Sequence, residues 1–183
     1  LPVSVPMFDE AVIRELLVNA LVHRPYTQRG DIFLNFHPDR LEVVNPGRLP
    51  IGVTPANVLH KSVRRNDELA RLFHDLGLME REGSGFDLMY EILLAHGKPV
   101  PTLSEGSDSV HVAVHRRILK PEVVGLMQRS DQAYHLTQKE KICLGTLALS
   151  DGLTAQELCA RLELGNAESL KPWLGRLEGF RLV

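Results

Sequence analysis

The chain has 183 residues, 44% of them hydrophobic and 24% charged, with 21 Lys and Arg against 23 Asp and Glu for a net charge of −2. This is a globular composition: it excludes a disordered or collagen-like chain, and it leaves no bulk cationic excess, so any nucleic-acid role has to rest on a local patch. No run approaches the ~18 apolar residues of a spanning helix and no leader pattern opens the sequence, which predicts a cytoplasmic protein with no membrane partner.

In chain order, Val12, Ile13, Leu16, Leu17, Ala20 and Leu21 recur at helical spacing and predict a helix from Phe8 to Arg24, closed by Pro25. Asp31 to His37 and Arg40 to Val44 alternate as strands around the turn residues Pro38-Asp39, which predicts a hairpin ending at Asn45-Pro46-Gly47. The stretch from Asn45 to Arg65 reads as a long loop with one helical turn near Ala56 to Leu59, and loops of that length tend to be functional. Asn66 is placed to cap a helix that Gly77 ends. A further helix follows Gly83-Ser84-Gly85 and stops before Gly97, and Val110 to Val114 reads as a strand.

Residues 121–136 show only a weak apolar stripe and read as a linker. Beyond them Thr137 with Glu140, and Thr154 with Glu157, have the spacing of capping boxes and announce two short helices. A third helix from Ala167 to Glu178, delayed or kinked by Pro172, and a strand starting at Gly179 complete the order of a winged helix-turn-helix. Cys143 and Cys159 lie in apolar helical patterns and read as reduced core thiols. Because the chain opens on Leu1 and closes on Leu182-Val183 at an incipient strand, we expect a piece of a longer protein with a truncated wing.

Within the first helix, Glu15, Asn19 and His23 are successive i,i+4 neighbours on one stripe with apolar residues on both sides. An acid and an amide so enclosed need partners, whether a neighbouring loop, water, a metal ion or a ligand. Lys61, Arg64 and Arg65 cluster in the long loop, where they either clamp an anion or face solvent. His111 and His115 are too far apart along a strand to share one metal ion. No P-loop signature occurs, so these residues hold no helicase motor.

The ordered set Glu15-Leu-Leu-Val-Asn19 to Arg24, Asp39 to Pro50 with Asn45-Pro46-Gly47, Arg65-Asn66, and Glu80 to Phe86 resembles the C-terminal region of RecG-related proteins, from about Pro6 to Val114. Those are helicase-named proteins akin to transcriptional regulators with a Schlafen-type AlbA-like domain. At a greater distance the region is similar to the GHKL ATPases, such as gyrase and the histidine kinases. The resemblance implies an α+β fold: a GHKL-like mixed sheet with helices on one face (residues 1–120), then the 121–136 linker and a winged helix at 137–183.

It also implies ATP and Mg²⁺ as ligands. Glu15 would be the general base, Asn19 the Mg²⁺ ligand, and His23, Asn45, Gly47 and Arg65 would border the nucleotide. Gly83, Ser84 and Gly85 would be the phosphate segment. Where the ATPases place an aspartate on the adenine amino group, this chain has Asn45, an acceptor without the charge. DNA is the partner implied for the winged helix, through Ser169, Lys171 and Arg176, although residues 137–183 carry six basic and six acidic side chains. A homo-oligomer is expected. Three readings stay open: a regulator with an ATPase-like domain, an Mg²⁺-dependent ATPase working with DNA, and a non-catalytic dimerisation scaffold.

Overall fold

In the computed structural model, which describes residues 4–61, 63–79 and 85–183, the chain is α+β. The strands are β1 Phe33–Phe36, β2 Arg40–Pro46, β3 Thr102–Glu105 and β4 Ser109–His115. The helices are α1 Glu10–His23, α2 Asp67–Asp75, α3 Gly85–Ala95, α4 Pro121–Tyr134, α5 Gln138–Ala148, α6 Ala155–Arg161 and α7 Lys171–Gly179. Two compact units result, one of residues 7–89 with 100–116, the other of 1–6, 90–99 and 117–183.

In the first unit the strand order is β1-β2-β4-β3, and every pairing is antiparallel. The mixed sheet expected from the resemblance is therefore corrected. β1–β2 and β3–β4 are hairpins, and the long excursion between them sets β4 against β2, so β2 and β3 run the same way but never touch. Period-two alternation gives the sheet two unlike faces. Leu41, Val43 and Asn45 of β2 point inward and are buried, and α1 packs on β2 with its stripe of Val12, Leu16 and Ala20. The opposite face is polar: Glu42 meets His111 Nδ1 at 3.4 Å, His37 Nε2 at 3.5 Å and Asn35 Nδ2 at 3.3 Å, while Ser109 Oγ lies 2.9 Å from His111 Nε2. β3 matches no expected strand because Thr102–Glu105 offers one apolar residue, Leu103, and alternation has nothing to register.

α1 starts under Asp9, whose side chain accepts from Ala11 N at 2.9 Å. Its last-turn carbonyls have no intrahelical donor, and each finds one from elsewhere in the unit. Asn45 Nδ2 donates to Ala20 O at 2.9 Å, and the Tyr26 hydroxyl donates to Leu21 O at 3.2 Å. Asn66 Nδ2 donates to Val22 O at 2.7 Å and to Arg24 O at 2.8 Å, and Arg65 Nη1 donates to His23 O at 3.1 Å. Asn66 does occupy the N-cap position of α2, but with no side-chain bond to that helix. Its amide serves α1 instead. Val18, Val22 and Ala70 then bury together, with Phe73 and Met79 against them.

In the second unit, the residues expected to form a linker hold α4, with Pro121 in its first turn and Val123, Val124, Met127 and Ser130 buried. Only three of the apolar residues on this fourteen-residue helix are buried, a stripe too narrow to stand out in sequence. Both predicted capping boxes form, at Thr137 with Glu140 and at Thr154 with Glu157. Pro172 falls in the first turn of α7, where proline fits, and Ala167–Leu170 precede it as a 3-10 turn. The strand expected from Gly179 is not formed: the chain turns at Phe180-Arg181 and ends without strand pairing. Arg181 sits in the left-handed region with φ 56°, which breaks the extended run a wing would need. Cys143 and Cys159 are free and buried, and burial pushes the Cys143 thiol up to about 12.

Asn66→Ala should lower unfolding free energy by about 1–3 kcal/mol, because Arg24 O loses its side-chain donor and Val22 O keeps only the backbone N–H of residue 66 at 3.2 Å. Asn66→Asp should cost at least as much, since a carboxylate cannot donate. Urea unfolding with an unchanged slope checks both.

Candidate functional site

The inner face of the sheet, the polar stripe of α1, the start of α3 and the 46–64 loop enclose a cleft with a cavity of about 120 Å³. Its walls are largely apolar: Leu16, Ala20, Val43, Val53, Val58 and Val112. Its polar groups are Glu15, Asn19, His23 and Asn45, and Arg48, Lys61 and Arg64 supply positive charge. Every one of these residues belongs to the first unit.

Asn45 lines the cleft and is 8% exposed, and its amide is oriented by chemistry: Nδ2 must face the Ala20 carbonyl. Its Oδ1 is buried with no hydrogen-bond partner. The same holds for His23 Nδ1. Burial, with Arg65 and Arg64 nearby, lowers His23 from 6.5 to about 4, so the imidazole is neutral near pH 7. Two unanswered polar atoms on one apolar wall are a cost to the fold of about 1–3 kcal/mol each unless something answers them.

Glu15, 6% exposed, accepts from Asn19 Nδ2 at 2.9 Å. The bond leaves Asn19 Oδ1 as the amide's remaining face. A Cβ on Gly85 would collide with Glu15 Oε1 and come within 2.9 Å of Asn19 Nδ2. A side chain at position 85 would therefore displace the Glu15–Asn19 pair, and the first residue of α3 abuts the carboxylate, where the positive end of a helix favours it.

The sequence-predicted residues divide. Glu15, Asn19, His23, Asn45 and Gly85 all line the cleft. Gly83 and Ser84 lie outside the described residues. Gly47 is a turn residue with φ 90°, and its missing Cβ makes room for Pro25, whose Cγ would be only 2.6 Å away. The Arg65 guanidinium is engaged with His23 O and, at 2.9 Å, with Arg48 O, which pins the loop to the end of α1. It is the neighbouring Arg64 that borders the cleft, and Arg48 joins it, pairing with Glu105 at 3.2 Å. Arg48 escaped notice because it stands apart from the 61–65 cluster in sequence.

Of the residues expected to read DNA, Arg176 holds Glu140 at 3.2 Å and Tyr134 O at 3.0 Å, and lies over the Phe180 ring. The Ser169 hydroxyl bonds Asn166 at 3.0 Å, within the cap of the 3-10 turn. Lys171 is exposed. Among the described residues no group of three or more His, Cys, Asp or Glu could hold a metal ion, and no helix is long and apolar enough to cross a membrane.

His23 makes stability depend on pH in a defined sense. Its folded value lies below its unfolded value, so the unfolded chain binds the proton first. Stability is full above about pH 6.5, falls through the interval down to about pH 4 by up to about 3 kcal/mol, and loses nothing further from this group below. In His23→Gln that slope should flatten, as read from urea midpoints between pH 7 and 4.

Residues 30–114 match the family described as "Putative ATP-dependent DNA helicase recG C-terminal". No curated protein matches the chain. Among solved structures, the DIP2311 protein from Corynebacterium diphtheriae aligns with a TM-score of 0.79 and 27% identity over 94% of this chain. The chain spans 36% of that protein's length.

Proposed function

We propose that the cleft of this RecG-related, ATPase-like segment binds an adenine nucleotide together with Mg²⁺. The observation that carries the reading is the buried, unanswered Asn45 Oδ1 on an apolar wall. A purine ring with an exocyclic amino group would fill the wall and donate to that oxygen. A cavity of about 120 Å³ is below the ~300–1,000 Å³ of whole small-ligand sites, so it suits the base rather than an entire nucleotide.

Arg48, Lys61 and Arg64 give the cleft the charge that phosphates need. Asn19 Oδ1 would hold Mg²⁺, a hard cation that takes few protein oxygens and fills its shell with phosphate and water. Bound there, the ion offsets phosphate charge. Glu15, buried beside Asn19 and Gly85, is the group positioned to orient a water molecule and accept its proton. His23 offers a second hydrogen-bonding atom in neutral form.

The regulator reading adds DNA as partner of the second unit. It rests on the helix-turn-helix order of α5, α6 and α7, with exposed Lys171 as the phosphate contact and Arg176 in a structural role. Lys171→Glu should then weaken DNA binding and flatten its salt dependence by about one unit of slope, measured by anisotropy across a salt series.

Mg-ATP at a hundredfold excess over Kd should raise stability by about 2.7 kcal/mol. Inosine triphosphate, with a carbonyl in place of the amino group, should bind at least tenfold more weakly because it sets an acceptor against Asn45 Oδ1. Equal affinity for the two removes Asn45 from base recognition, and no shift at millimolar nucleotide removes the nucleotide site. Glu15→Gln should retain binding and lose phosphate release.

A further inference from the structure

On the outer face of the sheet three side chains are linked in series. Ser109 opens β4 and His111 follows two residues later, so strand alternation puts both on one face. Glu42 of β2 pairs with Ala113, which sets it on the diagonal from His111, within reach of a long side chain. The Ser109 hydroxyl lies 2.9 Å from His111 Nε2, and His111 Nδ1 lies 3.4 Å from Glu42 Oε1. One neutral tautomer satisfies both contacts: Nδ1 carries the proton and donates to the carboxylate, and Nε2 accepts from the hydroxyl.

The other groups on this face hold the carboxylate in place. Its second oxygen, Oε2, takes Asn35 Nδ2 at 3.3 Å and His37 Nε2 at 3.5 Å, which leaves Oε1 to His111. Burial works against its charge, but hydrogen bonds from Asn35, His111 and His37 prevail and keep the Glu42 carboxyl below the usual carboxylate range, so it is ionised near pH 7. Ser104 of β3 stands opposite His111 in the ladder and brings no charge. The hydroxyl is accessible: Ser109 is half-buried, the turn before it is exposed, and a Cβ on Gly106 would stand only 3.0 Å from its Oγ, so glycine keeps that approach open.

We propose that Ser109 is a nucleophile for acyl groups, with His111 as its general base and Glu42 as the group that orients the imidazole. A hydroxyl, an imidazole and a carboxylate joined in this order are the parts of an activated serine, here drawn from two neighbouring strands. Ser109 Oγ attacks the carbonyl carbon of an ester. The Oγ–C bond forms, the Oγ proton passes to His111 Nε2, and the ester C–O bond breaks with its electron pair leaving on the departing oxygen. The imidazolium then gives its proton to that oxygen or to water. Because the face is open, the substrate class is small esters with a good leaving group, chosen by reactivity rather than by shape. This inference stands apart from the nucleotide reading, since Ser109, His111 and Glu42 do not line the cleft.

The test is reaction of the 183-residue chain with p-nitrophenyl acetate, the acetylated positions and their rates being read by peptide mass spectrometry. Ser107, exposed on the same turn, is the internal reference, and exposed Lys171 reports general reactivity. Ser109 should acetylate at least about tenfold faster than Ser107. His111→Gln should bring Ser109 down to the Ser107 rate, and Glu42→Gln should slow it about tenfold with His111 still present, Lys171 reacting at an unchanged rate in both. Two results overturn the proposal: Ser109 no faster than Ser107, or a Ser109 rate that either substitution leaves unchanged. The first comparison needs no variant, so it decides whatever the substitutions do to folding.

Discussion

The first unit depends on how the end of one helix is closed. An α-helix ends with carbonyls that have no partner, and each one buried without a donor would cost about 1–3 kcal/mol. Here the donors come from three separate places in the chain: β2 through Asn45, the segment after α1 through Tyr26, and the pair Arg65-Asn66 at the far end of a long loop. These bonds tie α1 to the sheet and fold the loop back across the cleft. The polar stripe of Glu15, Asn19 and His23 is aimed by that closure rather than by the helix itself.

The same closure explains which basic residues face inward. Arg65 reaches backbone oxygens on both sides of the loop, and its neighbour Arg64 is left toward the cleft. Desolvation, helped by the field of both arginines, keeps His23 uncharged near pH 7. An apolar wall, a neutral imidazole, a paired acid and amide, and a cationic margin therefore arise from one arrangement around α1.

Local chemistry made much of this legible in advance. The helix period of α1, the hairpin around Pro38-Asp39, both capping boxes and the stop at Gly77 follow from neighbours a few residues apart, and each formed as expected. What stayed illegible depends on contacts distant in sequence. Nothing near Asn66 says that its amide will turn from α2 to serve α1, and nothing near Arg65 distinguishes it from Arg64. Residues 121–136 looked like a linker because α4 is judged by three buried side chains whose partners lie elsewhere. β3 is strand by virtue of its neighbour β4 alone.

Asn45 divides one amide: its nitrogen fastens a helix end, and its oxygen is buried in the cleft wall with no hydrogen-bond partner. Because the two atoms are rigidly bonded in a plane, fraying at the close of α1 would swing the receptor away from its guest, and a guest that gripped the oxygen would brace the helix in return. Under the proposed reading, occupancy of the cleft and cohesion of the scaffold would be coupled through opposite ends of a single side chain.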